Sequence, residues 1–333
     1  DENHIYSELG FYYTQQGQAE LLERSVLTNN GKRMTGDSLF YDRNRGLGEA
    51  FQNVEFVDTI SKNMLTGDYC FYNQLTGYAF ATDKAVATDF SQGDSLFIHA
   101  DTLQLYTFHV NTDSVYREAR AYHKVRFYRT DIQGVCDSLV FSSKDSCLTL
   151  YQDPILWNGK QQLLGEEIMV YMNDSTIDWA HIQNQALSVE QLDSLNYNQV
   201  SGKDMKAYFE GGEMKQVDVD GSVRLVYFPM EKDSTLLGMN CSETSKLSMF
   251  LENRKLKKMA MSPKSNGTLY PMTQIPPAKM KLDNFAWFDY VRPLNKADIF
   301  NWRGKGAGQE LKKSTRGAAP LPNQKLFENT KKE

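Results

Sequence analysis

The chain has 333 residues, 37 Lys+Arg against 42 Asp+Glu for a net charge of −5, and 41% hydrophobic residues. That apolar share can bury a core and excludes wholesale disorder, while the slight acidic excess argues against a general nucleic-acid binder. No run of about 18 apolar residues occurs, which excludes an encoded transmembrane helix.

In chain order, the first predicted unit is Met34-Thr-Gly-Asp37-Ser-Leu-Phe-Tyr41-Asp42. It recurs as Met64-Leu-Thr-Gly-Asp68-Tyr-Cys-Phe-Tyr72-Asn73, as Phe97-Ile-His-Ala-Asp101-Thr-Leu-Gln-Leu105-Tyr106, and more faintly as Ile132-Gln-Gly-Val-Cys-Asp137-Ser-Leu-Val-Phe141. Asp37, Asp68, Asp101 and Asp137 are 31, 33 and 36 residues apart. Looser echoes fall at Leu164-Gly165-Glu166, Ser201-Gly-Lys-Asp204 and Leu237-Gly238. Such self-similarity marks a repeat architecture.

Each signature leads through a polar turn into a second strand. Gly48 to Phe56 follows the first, Ala79 to Ala87 the second, Ala119 to Phe127 the third, and Cys147 to Trp157 the fourth. Apolar and polar residues alternate, as in Val54 and Phe56 between Asn53 and Glu55, or Val125 and Phe127 between Lys124 and Arg126. A period of two predicts antiparallel strands with one buried and one wet face. The Asn, Asp and Gly turns suit hairpins, and 18 Tyr with 18 Phe against 9 Pro favour strands. Helical periodicity is confined to a short piece around Ser188–Leu195 and to a closing segment, 281–303, with a helical turn. The predicted organisation is a repeated β-body over 1–280, open to a subdivision near 190, then the closing segment, then a disordered basic tail over 304–333. From Arg303 onward there are eight basic and three acidic residues, which leaves the body near −10.

Residues that could carry chemistry are scattered. His4, His99, His109, His123 and His181 show no HxxxH or HxH spacing, so no metal site is expected. Cys70, Cys136, Cys147 and Cys241 contain no CxxC, and only Cys136 and Cys147 are near enough in sequence to suggest a bond. The repeated aspartates are better explained by turns or strand edges than by a catalytic pair, because catalysis needs one unique constellation. Gly304-Lys-Gly-Ala-Gly308 lacks Walker spacing and reads as tail. Sequons at Asn173, Asn240 and Asn266 matter only in a glycosylating host. No cofactor is expected, and no enzymatic activity.

The stretch Gly36-Asp-Ser-Leu-Phe-Tyr41-Asp42 through Phe56 resembles the OstA/LptA-type lipopolysaccharide-transport β-jellyroll family, and in particular the OstA-like proteins of Bacteroidetes-type bacteria. Asp153-Pro-Ile-Leu-Trp157, Gly202-Lys-Asp-Met-Lys-Ala-Tyr-Phe209, Val217-Asp-Val-Asp-Gly221 and Asn266-Gly-Thr-Leu-Tyr-Pro-Met272 extend the resemblance over roughly 30 to 300. It implies an all-β, elongated antiparallel jellyroll in the periplasm of a Gram-negative cell, associated with the outer membrane, its signal peptide removed. It implies binding of lipopolysaccharide or lipid A acyl chains, pairing of strand edges with other jellyroll transport components, and head-to-tail self-association. Further repeats ahead of Asp1 are also implied.

Alternation assigns the lining of such a groove to Val54, Phe56, Val86, Ile98, Leu103, Leu105, Val125, Phe127, Leu139, Phe141, Leu150, Trp157, Ile168 and Val170. A bulge would invert several of these. Small residues at Ala50, Ala79, Ala81, Ala85, Ala87, Ala119 and Ala121 would leave volume inside. The rival expectation is a structural or glycan-binding β-solenoid with a dry core. A carbohydrate-active enzyme ranks behind both, for want of a local carboxylate cluster.

Overall fold

The computed structural model describes residues 4–311, apart from residues 30, 92, 111, 174, 175, 232, 234, 254, 307 and 310. The predicted tail beyond residue 311 therefore lies outside the described residues. Strands follow in chain order: β1 (His4–Tyr6), β2 (Leu9–Tyr13), β3 (Gln18–Leu22), β4 (Ser25–Asn29), β5 (Lys32–Gly36), β6 (Ser38–Asp42), β7 (Leu47–Asp58), β8 (Asn63–Asn73) and β9 (Tyr78–Thr82). Next come β10 (Val86–Asp89), β11 (Leu96–His99), β12 (Thr102–Phe108), β13 (Tyr116–Tyr128), β14 (Gln133–Ser142), β15 (Cys147–Tyr151), β16 (Ile155–Asn158), β17 (Gln161–Leu164) and β18 (Glu167–Met172). The last are β19 (Ile177–Gln183), β20 (Ala186–Gln191), β21 (Tyr197–Gly202), β22 (Asp204–Glu210), β23 (Glu213–Tyr227), β24 (Gly238–Glu252), β25 (Lys255–Ser262) and β26 (Asn266–Pro271).

All pairings are antiparallel and join into one sheet folded lengthwise into two walls. The first wall runs β2, β3, β6, β7, β8, β9, β12, β13, β14, β15, β18, β19, β22, β23, β24, β25. The second runs β1, β4, β5, β7, β8, β10, β11, β13, β14, β16, β17, β20, β21, β23, β24, β26. Six long strands (β7, β8, β13, β14, β23, β24) belong to both walls and bend across the crease. Their registers shift there, between Phe51 and Val54, Tyr122 and Val125, and Asp220 and Val223. Extra residues in one strand of a pair are what bend it. These are the antiparallel strands that the period-two pattern predicts, in the all-β elongated jellyroll that the resemblance implies.

Two kinds of corner alternate along the crease. In one, the backbone turns through left-handed residues: Glu23, Gln52 and Asn53, Asp83 and Lys84, Lys124, Gln152 and Asp153, Asn184 and Gln185, and Gly221 with Ser222. Asn, Asp and Gly tolerate that conformation best. In the other, the repeated acid crosses. The amides of Asp37, Asp68, Asp101 and Glu166 donate to Gln52 O, Asp83 O, His123 O and Asn184 O of the adjoining left-handed corner. Side chains close the same joints: Asn53 Nδ2 donates to Asp37 at 2.7 Å, Lys84 pairs with Asp68 at 2.8 Å, and Gln185 donates to Glu166 at 2.6 Å. The exposed Lys84–Asp68 ion pair contributes little to stability.

The residue before each crossing acid is small: Gly36, Gly67, Ala100, Cys136 and Gly165, with Gly202 in the same place before Lys203. The walls converge at the crease, and there is no room for more. A Cβ on Gly165 would stand 2.5 Å from Ile182 Cγ2, and one on Gly67 3.0 Å from Thr82 O. At the rims the chain reverses through Asx turns. Asp42 accepts from Arg45 N at 3.0 Å, Asp58 from Ser61 N at 2.9 Å, and Asn73 from Leu75 N at 2.9 Å.

After β26 the chain returns along the outer face of the second wall as a strap. Its only helical features among the described residues are three-residue 3-10 turns, of which Asp289–Val291 and Asp298–Phe300 lie in the predicted closing segment. Leu282, Met280 and Ile275 pack on Val226, Phe228 and Met239. Phe288, Val291, Phe285 and Trp287 pack on Trp157, Leu164, Leu187 and Val189. Two buried glutamines bond the strap backbone as a neighbouring strand would. Gln199 donates to Met280 O at 2.7 Å and accepts from Leu282 N at 2.9 Å. Gln162 donates to Ala286 O at 2.9 Å and accepts from Phe288 N at 2.7 Å. The far end reaches β11 and β13, where Phe300 meets the His99 ring, Trp302 lies under the Arg126 guanidinium, and Arg126 Nε donates to Ile299 O.

The expected helix around Ser188–Leu195 is instead the end of β20 and a turn at Asp193. Ser188 faces the other wall while Leu187 and Val189 lie under the strap. Burial of both faces erases the alternation that betrays a strand. Cys136 and Cys147 are not bonded; all four cysteines are free.

Candidate functional site

The space between the walls is lined by rows of side chains in direct register. Nearest the crease, the first wall presents Leu39, Ala50, Cys70, Ala81, Leu103, Ala121, Leu139, Leu150, Ile168, Ile182, Met205, Val219 and Leu247. One step outward stand Tyr41, Gly48, Tyr72, Ala79, Leu105, Ala119, Phe141, Leu148, Val170, Ala180, Ala207 and Val217. The second wall answers with Leu27, Met34, Phe56, Leu65, Ala87, Ile98, Phe127, Gly134, Leu156, Leu163, Ser188, Val200 and Leu225. These rows carry no charged side chain.

Exposure divides the rows. From β4 to β11 the second-wall row (Leu27, Met34, Phe56, Leu65, Ala87, Ile98) is half-exposed; from Phe127 on it is buried except at Leu163. The outer row of the first wall behaves likewise: Tyr41, Leu105, Ala119, Phe141 and Leu148 are half-exposed and Tyr72 is 44% exposed, whereas Val170, Ala180, Ala207 and Val217 are buried. The N-terminal half is therefore an open apolar trough. On the first wall it runs from β3 to β15, roughly 40 Å at the usual strand spacing.

Of the fourteen positions that alternation assigned to the groove, Val54, Phe56, Ile98, Leu103, Leu105, Val125, Phe127, Leu139, Phe141, Leu150, Ile168 and Val170 face between the walls. Val86 and Trp157 do not. Val86 pairs with Thr66 and His99 on the outer face, between the inward Ala85 and Ala87. Trp157 is buried beneath the strap with Phe288, while its neighbour Leu156 faces in. A tryptophan under a covering segment has the same apolar signature as one in a groove, and the strap was not legible in alternation. Tyr41, Tyr72, Met34, Leu65 and Leu148 were missed, although position in the repeat marks most of them. The residue three before the crossing acid faces in (Met34, Leu65, Ile98), as does the one four after it (Tyr41, Tyr72, Leu105, Phe141).

Chemically the trough can shelter apolar chains. Its thiols are inert, since burial pushes Cys70 up to about 12 and raises Cys136 further. No group of three or more potential metal ligands occurs among the described residues. No helix among them is long and apolar enough to cross a membrane. At the N-terminal end of the trough, β1 and β2 are exposed edge strands, with Tyr6 at 62%, Phe11 at 50% and Tyr12 at 56%.

Residues 1–88, which hold β1 to β9 and most of β10, match the family model described as OstA-like protein. The N-terminal rungs are OstA-like. No curated protein matches the chain. The pairing pattern of the OstA-like rungs continues unbroken past residue 88, from β10 through β11 and on to β26.

Proposed function

We propose that this OstA-like chain is a non-enzymatic lipopolysaccharide carrier or bridge of the periplasm. In this reading the acyl chains of lipid A lie in the open half of the trough on their way to the outer membrane. The observation that carries it is the half-exposure of two facing apolar rows, Met34, Phe56 and Leu65 against Tyr41, Tyr72 and Leu105. Water around an acyl chain costs about 0.8 kcal/mol per CH₂. A dozen carbons thus call for roughly 10 kcal/mol of apolar shelter, and an uncharged trough of this length supplies it. The exposed edges of β1 and β2 suit backbone pairing with another jellyroll component. With the body near −10, the phosphorylated headgroups stay in solvent at the rim.

The test is displacement of a fluorescent lipid A from the purified chain, repeated with Ala119→Trp. Ala119 stands between Leu105 and Phe141, where an indole fills the trough without touching the crease. Saturable binding that the substitution abolishes supports the reading; lack of saturable binding by the unaltered chain refutes it. A second reading, a glycan-binding face, has one observation in its favour. Phe51, Tyr69, Phe80, Phe71, Tyr78 and Tyr106 form a continuous series of ring contacts on the outer face of the first wall.

A further inference from the structure

The two halves of the trough differ in sequence at equivalent places. In the open half, three of the strands that lead into a left-handed corner present small pairs inward, Gly48 with Ala50, Ala79 with Ala81 and Ala119 with Ala121, while β3 at its end presents Ala19 with Leu21. In the sealed half the same places hold Ala180 with Ile182 and Val217 with Val219, and β15 at the boundary holds Leu148 with Leu150. Added volume at a fixed wall spacing fills the gap, and the rows there are buried except at Leu163. A cavity of about 30 Å³ does remain, lined by Ile182, Met205, Met214, Val217 and Met249.

A second observation is independent of the packing. The strap crosses the outer face of the second wall over this sealed half, and the Gln162 and Gln199 amides tie it down. Its contacts end at His99 and Arg126, where the open half begins. The wall that would have to move to admit lipid beyond β15 is the wall that is braced.

We propose that the trough is blind. Acyl chains occupy only its N-terminal half and are exchanged over its open rim, while β16 to β24 form a braced plug through which no lipid passes. This rests on the lipid-binding reading and narrows it from a carrier or bridge to a carrier: lipid is exchanged over the open rim and none is relayed from end to end.

Native methionines test it without substitution. Met34 faces into the open half, Met205 and Met214 line the small cavity of the plug, and Met64, next to the inward Leu65, points to the outer face as a control. The full chain, ¹³C-labelled at methionine methyls, is titrated with a fatty acid carrying a nitroxide on its acyl chain. The expected result is loss of the Met34 signal with the Met205 and Met214 signals retained. Loss of Met205 and Met214 together with Met34 would overturn the blind trough and leave the lipid-binding reading standing. Retention of all the signals would sink the lipid-binding reading and this proposal with it.

Discussion

Replacing Gln162 by leucine isolates the contribution of one strap joint. The side chain is fully buried, close in size to leucine, and bonded only through its amide to the strap: Nε2 to Ala286 O at 2.9 Å and Oε1 from Phe288 N at 2.7 Å. Gln162→Leu keeps the volume and leaves one buried carbonyl and one buried amide without partners. Each such group costs about 1–3 kcal/mol, and partial relief by water at the edge of the strap brings the total to roughly 2–4 kcal/mol. Global unfolding is a poor gauge, because a ladder of many strands need not melt in one step. Hydrogen exchange at the Phe288 amide reads the joint directly. At 1.4 kcal/mol per decade, exchange should accelerate by about 30- to 1,000-fold, while amides of β6 and β7 keep their protection. If Phe288 exchanges at the unaltered rate in the variant, the glutamine amides do not hold the strap.

Other outcomes follow from the same geometry. Gly134→Ala should destabilise by about 1–3 kcal/mol in thermal unfolding, because a Cβ there would stand 2.2 Å from Phe127 Cζ and 2.9 Å from Leu156 Cδ2. An unchanged Tm would mean that the Phe127 ring does not lie across the glycine. Asp298 receives Arg303, Asn301 and the Leu294 amide, and the Arg303 guanidinium holds its carboxyl far below the usual carboxylate range. Its folded-state pKa is thus below the unfolded value. The stability it brings is fully present above the ordinary carboxylate range and fades as pH falls toward the folded value. Asp298→Asn should therefore loosen the end of the strap at neutral pH, seen as faster exchange near Ile299, and the difference from the unaltered chain should shrink in strong acid. A difference independent of pH would exclude the carboxylate as its source.

Much of this architecture is legible in the repeat itself. The crossing acids, the small residue before them and the inward positions at −3, +2 and +4 recur at Asp37, Asp68 and Asp101 with little change. In that register Leu103, Leu139 and Ile168, each two residues after its acid, face between the walls. Val86 and Trp157 were misplaced for one reason: on the outer face of the second wall, apolar residues are buried too. Val86 lies beside His99, and Trp157 meets a strap more than a hundred residues away in sequence. Alternation reports that a side chain is buried, and it is silent on which neighbour buries it. The division of the trough was visible only in part, because Leu148 and Leu150 in place of alanine are unremarkable until the opposite wall is known.

Because every hairpin re-enters the crease through its own fixed corner, the loops at the free margins are insulated from the lining. Within this one chain they range from the two residues Gly159 and Lys160 to the seven between Phe108 and Tyr116, and the rows on either side keep their pairing. Insertions there add new surface at the lips of the channel and displace none of its residues. Diversity among proteins built this way should collect at those lips, while the fold line stays nearly invariant in length.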